Sequence, residues 1–91
     1  MAERSLVAEL IHEHSARYID DEDGTVYSVR IYGEEREGGT WAGWLEFHPE
    51  NPGRPVLRTG QETSQPNRDA VVYWASGLEP VYLEGAFRRA L

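Results

Sequence analysis

The sequence predicts an α+β domain: a three-stranded antiparallel sheet with helices packed on one face, in the order α-β-β-β-α-α. Three observations carry this. Residues 25–33 and 40–48 alternate apolar and polar side chains, as half-buried strands do. Apolar residues recur at helical spacing near both ends of the chain. Turn-forming clusters rich in Gly, Pro and Asp separate the segments.

The first segment places Leu6, Val7, Leu10 and Ile11 on one helical face, which predicts a helix over about 4–14. The alternative is an extra N-terminal strand over Leu10–Ile19, favoured by the β-formers Ile11, Tyr18 and Ile19 but poor in alternation. Asp20-Asp21-Glu22-Asp23-Gly24 is a solvated turn, with Gly24 supplying a positive φ. In the strand over 25–33, Tyr27, Val29 and Ile31 share one face, and Ser28, Arg30 and Tyr32 the other. In the strand over 40–48, Trp41, Gly43, Leu45 and Phe47 oppose Ala42, Trp44, Glu46 and His48.

Opposed residues of an antiparallel pair lie on the same face. Both apolar faces carry odd numbers, so paired numbers must sum to an even value, expected near 72 or 74. At 74, Val29 meets Leu45 and Arg30 meets Trp44. A weaker third strand is expected within 56–63, around Val56-Leu57-Arg58-Thr59, after the breakers of 49–55. A helix over 66–77 follows, with Val71, Trp74, Ala75 and Leu78 on one face and Gly77 as its stop. A last helix over 79–90 repeats Tyr82, Leu83, Ala86 and Phe87, with Glu84 and Arg88 one turn apart.

The totals bound the function. The 91 residues make one small domain, 1–91, with a net charge of -7. All nine basic residues are Arg, and there is no Cys. Disulfides, thiolate chemistry and lysine Schiff bases are therefore excluded. Residues 1–45 hold ten acids against four Arg, and 46–91 hold six against five. Such a charge repels nucleic acid, whose affinity for proteins comes mostly from cationic contacts, and repels anionic membrane. No apolar run approaches a membrane span, and the N-terminal residues do not read as a signal peptide, so a cytoplasmic location is expected.

Each candidate site has a plainer reading beside it. His12-Glu13-His14, with Glu9, offers metal donors. On a helix His12 and His14 diverge; on a strand they would share a face. No metal site is assigned, since a solvated helix face accounts for them. The acidic turn at 20–24 matches an EF-hand loop in the middle but fails at both ends, where Ile19 and Arg30 would stand. The helix pair around Gly77 has the outline of a helix-turn-helix, but Glu79 and Glu84 would repel phosphate, and a core-packing hairpin fits better. The sharpest feature is the even-numbered sheet face: Arg30, Tyr32, Trp44, Glu46, His48 and Arg58. A Trp and a Tyr on the polar side of a sheet are either covered or used for docking. The plainer account packs Trp44 on Arg30 through a cation–π contact.

The stretches Arg30-Ile31-Tyr32-Gly33-Glu34-Glu35, Gly39-Thr40-Trp41-Ala42-Gly43-Trp44-Leu45-Glu46-Phe47, Thr59-Gly60-Gln61-Glu62-Thr63-Ser64-Gln65-Pro66 and Tyr73-Trp74-Ala75-Ser76-Gly77-Leu78-Glu79 together resemble small, uncharacterised bacterial proteins of this length, a domain of unknown function. The resemblance covers about 17–87 and implies no activity, cofactor or site residue. The element order is also similar to that of the double-stranded-RNA-binding domain, without the basic helix terminus that such domains use.

The leading expectation is a non-catalytic, acidic interaction domain that binds a protein partner, or itself, through the aromatic and Arg sheet face or a free sheet edge, with no cofactor. On this reading Trp44→Ala weakens binding and spares the fold. The alternative is a small-molecule binding domain or weak enzyme using Glu46, His48 and Arg58, although no nucleophile motif accompanies them. A nucleic-acid mimic would need regularly spaced carboxylates, whereas these cluster in turns and loops.

Overall fold

A computed structural model of the chain describes residues 8–91. Five strands precede two helices: β1 (Glu9–Ile19), β2 (Val26–Glu35), β3 (Trp41–Pro49), β4 (Leu57–Arg58), β5 (Thr63–Gln65), α1 (Arg68–Ser76) and α2 (Pro80–Ala90). The sheet is antiparallel in the order β1-β2-β3-β4, with β5 also pairing β3. The α+β class and the two C-terminal helices agree with the sequence reading. The strand number and the opening helix do not.

The helix expected over about 4–14 is corrected for the described residues: Glu9–His14 belong to β1, and 4–7 lie outside them. Two β-bulges explain the misreading. Leu10 opposes Tyr32 and His12 opposes Ile31, so Ile11 is an inserted residue, and a second irregularity falls between His14 and Arg17. Each insertion disturbs the two-residue period. Leu10 therefore stands on one face, while the neighbouring Ile11 packs against the core and lies 3.1 Å from where a Cβ on Gly33 would be. Two adjacent apolar residues serve different surroundings, which in sequence mimics a helical stripe.

The β2–β3 pairing keeps the predicted parity, but its register sums to 76: Tyr27 meets Pro49, Val29 meets Phe47 and Ile31 meets Leu45. The difference lies in the tight closure of the hairpin loop. Arg36 N–H donates to Thr40 O at 2.7 Å, and Gly38 and Gly39 both adopt φ 90°. Glycine alone takes that conformation cheaply in succession. The third strand is split into the two short strands β4 and β5, both on the far side of β3.

Asn67 caps α1: its side chain accepts from Ala70 N–H at 2.9 Å, so Pro66 lies before the helix. Gly77 ends α1, and Pro80 opens α2, where its missing N–H costs nothing. Both helices cover the odd-numbered face. Tyr27, Val29, Ile31, Leu45 and Phe47 form one core with Ala75, Leu83, Ala86 and Phe87. The Phe87 ring lies 5.2 Å from Phe47 and 5.4 Å from Tyr27. Gly43 permits the close approach of α1, for a Cβ there would meet Thr63, Trp74 and Val71 at 3.0–3.4 Å. No described helix is long and apolar enough to cross a membrane.

Candidate functional site

The sheet face turned away from the helices is organised in rows that run across the strands. Its central row is Glu13 of β1, Arg30 of β2, Glu46 of β3 and Arg58 of β4, each opposed to the next by the strand register. The charges alternate. Cross-strand opposite charges stabilise a sheet by about 0.2–1 kcal/mol each. Arg30 Nε stands 3.7 Å from Glu13 Oε2. On one side of this row lie Leu10, Tyr32 and Trp44; on the other lie Arg17, Ser28 and His48. A fourth row, Glu34, Ala42 and Ser64, borders the hairpin end.

All six residues singled out in the sequence therefore share this face, and most touch. Glu46 is the hub. Its Oε1 pairs with His48 Nε2 at 3.0 Å, and its Oε2 accepts from the Trp44 indole N–H at 3.2 Å. The Arg58 guanidinium lies 4.3 Å above the Trp44 ring. Tyr32 stacks 6.3 Å from the indole and 6.4 Å from the imidazole. The expected contact of Trp44 with Arg30 is thus corrected among the described residues: the register at 76 places Tyr32 opposite Trp44, and Arg58 lies over its ring.

Trp44 is only 2% exposed. The expectation that Trp44→Ala spares the fold is corrected by this, because truncating a buried Trp removes about 3–5 kcal/mol of packing. Arg58 is exposed and Arg30 partly so, and Leu10, Glu13 and Arg17 of this face also reach solvent. Glu34 is 3% exposed; its Oε2 pairs with Arg36 at 2.8 Å, and its Oε1 has no hydrogen-bond partner.

Sequence reasoning missed Glu13 and Arg17 as members of this face; Ser28 it placed there without singling it out. The first two lie on a segment whose strand character was masked. Arg17 pairs with Glu50 at 2.6 Å and donates to Ser15 O at 3.0 Å, so it supports the second bulge. A polar pocket of about 410 Å³ opens there beside Glu13, Arg17, Ser28 and Arg30. Only the bulge creates it, and no residue pattern announces a bulge.

His48 and Glu46 have the geometry of an imidazole oriented by a carboxylate. The neighbouring hydroxyl is turned elsewhere: Ser28 Oγ donates to the His48 carbonyl at 3.5 Å. His12 and His14 do share a face in β1, their rings 4.6 Å apart, but His14 Nε2 is engaged by Ala75 O at 3.0 Å. Burial, then the adjacent His14, holds His12 below the ordinary imidazole value. Among the described residues no group of three or more His, Cys, Asp or Glu is placed to hold a metal ion. The acidic turn is a hairpin turn that uses its carboxylates on its own backbone. Asp20 accepts from Glu22 N–H and Asp23 from Thr25 N–H, both at 2.9 Å. The Thr25 hydrogen bonds, then Arg54, hold Asp23 below the usual carboxylate range.

Away from this face, Glu62 ties the β4–β5 connection to α2. It accepts from Tyr82 Oη and from Arg89, the latter at 2.8 and 2.9 Å. Burial pushes Glu62 up, but the bonds from Tyr82 and Arg89 outweigh it and hold it below its ordinary value. Burial and the Glu62 carboxylate push Tyr82 up to about 12. In comparison with known proteins, the chain matches no family model, no curated protein and no solved structure.

Proposed function

We propose that this domain is a non-catalytic interaction module that docks a protein partner on the face of its sheet opposite α1 and α2. The observation that supports this reading is the alternating row Glu13, Arg30, Glu46 and Arg58. Both described helices pack on the opposite face, and Glu13, Arg30 and Arg58 of the row reach solvent. A patterned row of charges discriminates among partners more than it adds affinity. A protein surface with the complementary alternation at strand spacing, about 4.8 Å, fits it.

A photo-crosslinking amino acid in place of Tyr32 tests the proposal, with one in place of Tyr73 as control. Tyr73 lies on α1 and is 83% exposed. The expected result is a protein adduct from position 32 alone, lost when Arg58→Glu is added. Equal adducts from both positions, or none from 32, would contradict it.

A second reading takes the same residues as a small-molecule site or weak enzyme. The 3.0 Å contact of His48 with Glu46, beside the Arg58 cation, favours it. A thermal-shift screen of small anions separates the two. Stabilisation that disappears in His48→Ala would support a ligand site, and no stabilisation by any anion would leave the docking reading alone.

A further inference from the structure

We infer that the cleft between the end of β1 and α2 is a binding site for an organic cation, an ammonium carried on an apolar body. The cleft is built from β1, the acidic turn and the second half of α2, on the helix side of the sheet. The inference is independent of the docking reading of the charged face.

The cavity is about 650 Å³, within the range that holds small-molecule ligands. Its floor is aromatic. The Tyr18 and Phe87 rings lie 5.6 Å apart and are tilted by only 32°. Phe87 is locked into the core by Phe47 and Tyr27, so the floor is held in place before any ligand arrives. Ile19 and Leu91 stand at the rim, each 56% exposed, and offer apolar area to the body of a ligand. β1 carries the chain about 30 Å from Ala8 to this cleft. Residues 1–7 span at most about 25 Å, so they do not reach it.

Charge sets the sign of the ligand. Four carboxylates line the cleft, Asp20, Asp21, Glu22 and Glu84, against the two guanidiniums of Arg17 and Arg88. Both guanidiniums are already engaged: Arg17 pairs with Glu50 at 2.6 Å and Arg88 with Glu84 at 2.9 Å. An anion would have to break one of these pairs to be held. Asp21 and Glu22 are exposed and make no ion pair among the described residues, so a cation has carboxylates to meet. Burial, then the Glu84 carboxylate, pushes the Tyr18 hydroxyl above its ordinary value, so the ring stays neutral and feels the negative field of the cleft. A concave surface with one excess sign and an apolar floor concentrates ligands of the opposite sign. Carboxylates alone would hold cations as a diffuse atmosphere. The rings and the apolar rim add the demand for an apolar body, and the face of Tyr18 attracts a cation directly.

A nitrogen–proton NMR titration of the full chain tests this with four probes. Phenethylammonium carries both the charge and the body, ethylammonium the charge alone, phenethyl alcohol the body alone, and hydrocinnamate the body with the opposite charge. The expected result is saturable shift changes confined to residues 17–22 and 84–91 with phenethylammonium, and binding of the other three weaker by at least about 10-fold. Asp21→Asn with Glu22→Gln should weaken phenethylammonium several-fold and leave phenethyl alcohol unchanged. Both residues are exposed turn positions, and the spectrum of the double variant shows directly that the fold is kept. Shifts scattered over the acidic residues, shifts that never saturate, or equal binding of ethylammonium would mean a diffuse counterion cloud around a chain of net charge -7 and would overturn the inference. Equal binding of phenethyl alcohol, or no response in the cleft to any probe, would overturn it as well. N-acetyl-Phe-Lys-amide separates the two sources of such a cation. Weaker binding than phenethylammonium supports a free small molecule, and tighter binding supports the cation site with a protein side chain as its source.

Discussion

The two faces of one sheet differ in what they do with the same strands. The helix-covered face carries Tyr27, Val29, Ile31, Leu45 and Phe47, all at 4% exposure or less, and joins them to α1 and α2 in a single core. The other face carries charges in ordered rows, a buried Trp and a buried carboxylate. On the first face, what matters is volume: each side chain is replaceable by another that fills the same space. The second combines an alternating row of charges with the buried Trp44, and a one-residue slip would set both against the wrong neighbours. The difference teaches that strand parity separates the apolar core from the charged rows, odd residues against even in β2 and β3, with Trp44 the buried exception on the even face.

The strongest test of this separation is Phe47→Ala. Phe47 is fully buried between β3 and α2, and its truncation is expected to cost about 3–5 kcal/mol in urea unfolding. Next is Gly43→Ala, where the added methyl would press on Thr63, Trp74 and Val71 and cost about 1–3 kcal/mol. A gain in stability there would mean that α1 approaches the sheet less closely than described. Tyr82→Phe removes a hydrogen bond to a charged carboxylate and should cost about 1.5 kcal/mol.

The same cluster sets a pH dependence with a definite sign. Glu62 is held below its ordinary value, so its contribution is full above pH 4.5 and fades as the pH falls through the folded value. Tyr82 is raised, so its contribution is full below pH 10 and is lost as the pH rises towards about 12. Thermal melts of the wild type and Tyr82→Phe across both ranges should converge at the alkaline end. His12 adds a smaller acid-side loss. It is held below 6.5 in the fold, so its contribution is present above that pH and declines below it, and His12→Asn should remove it. The smallest expected stability effect belongs to Arg30→Ala, within about 1 kcal/mol, because its partner Glu13 is well exposed and solvent screens the pair.

Much of this division was legible in the residues. The alternation of Val29, Ile31, Leu45 and Phe47 marked the buried face, and parity alone placed Arg30, Tyr32, Trp44, Glu46 and His48 together on the other. The register itself was not legible, because it depends on how the loop at Gly38 and Gly39 closes. The first strand was hidden by its bulges, which moved Ile11 out of alternation and took Glu13, the first charge of the central row, out of view. Two-residue strands such as Leu57–Arg58 are fixed by pairing with β3 rather than by any local preference. The burial of Trp44 was also beyond reach: alternation assigns a side chain to a face but does not say what meets it there.

The most direct measurement pairs two readouts on one sample, Arg58→Glu. Urea unfolding should lie within about 2 kcal/mol of the wild type, as expected for loss of the cation–π contact over Trp44, while the protein adduct from a photo-crosslinking amino acid at position 32 disappears. A loss of more than about 2 kcal/mol with the adduct unchanged would contradict the account and would make the charge row a structural element of the sheet rather than a docking surface.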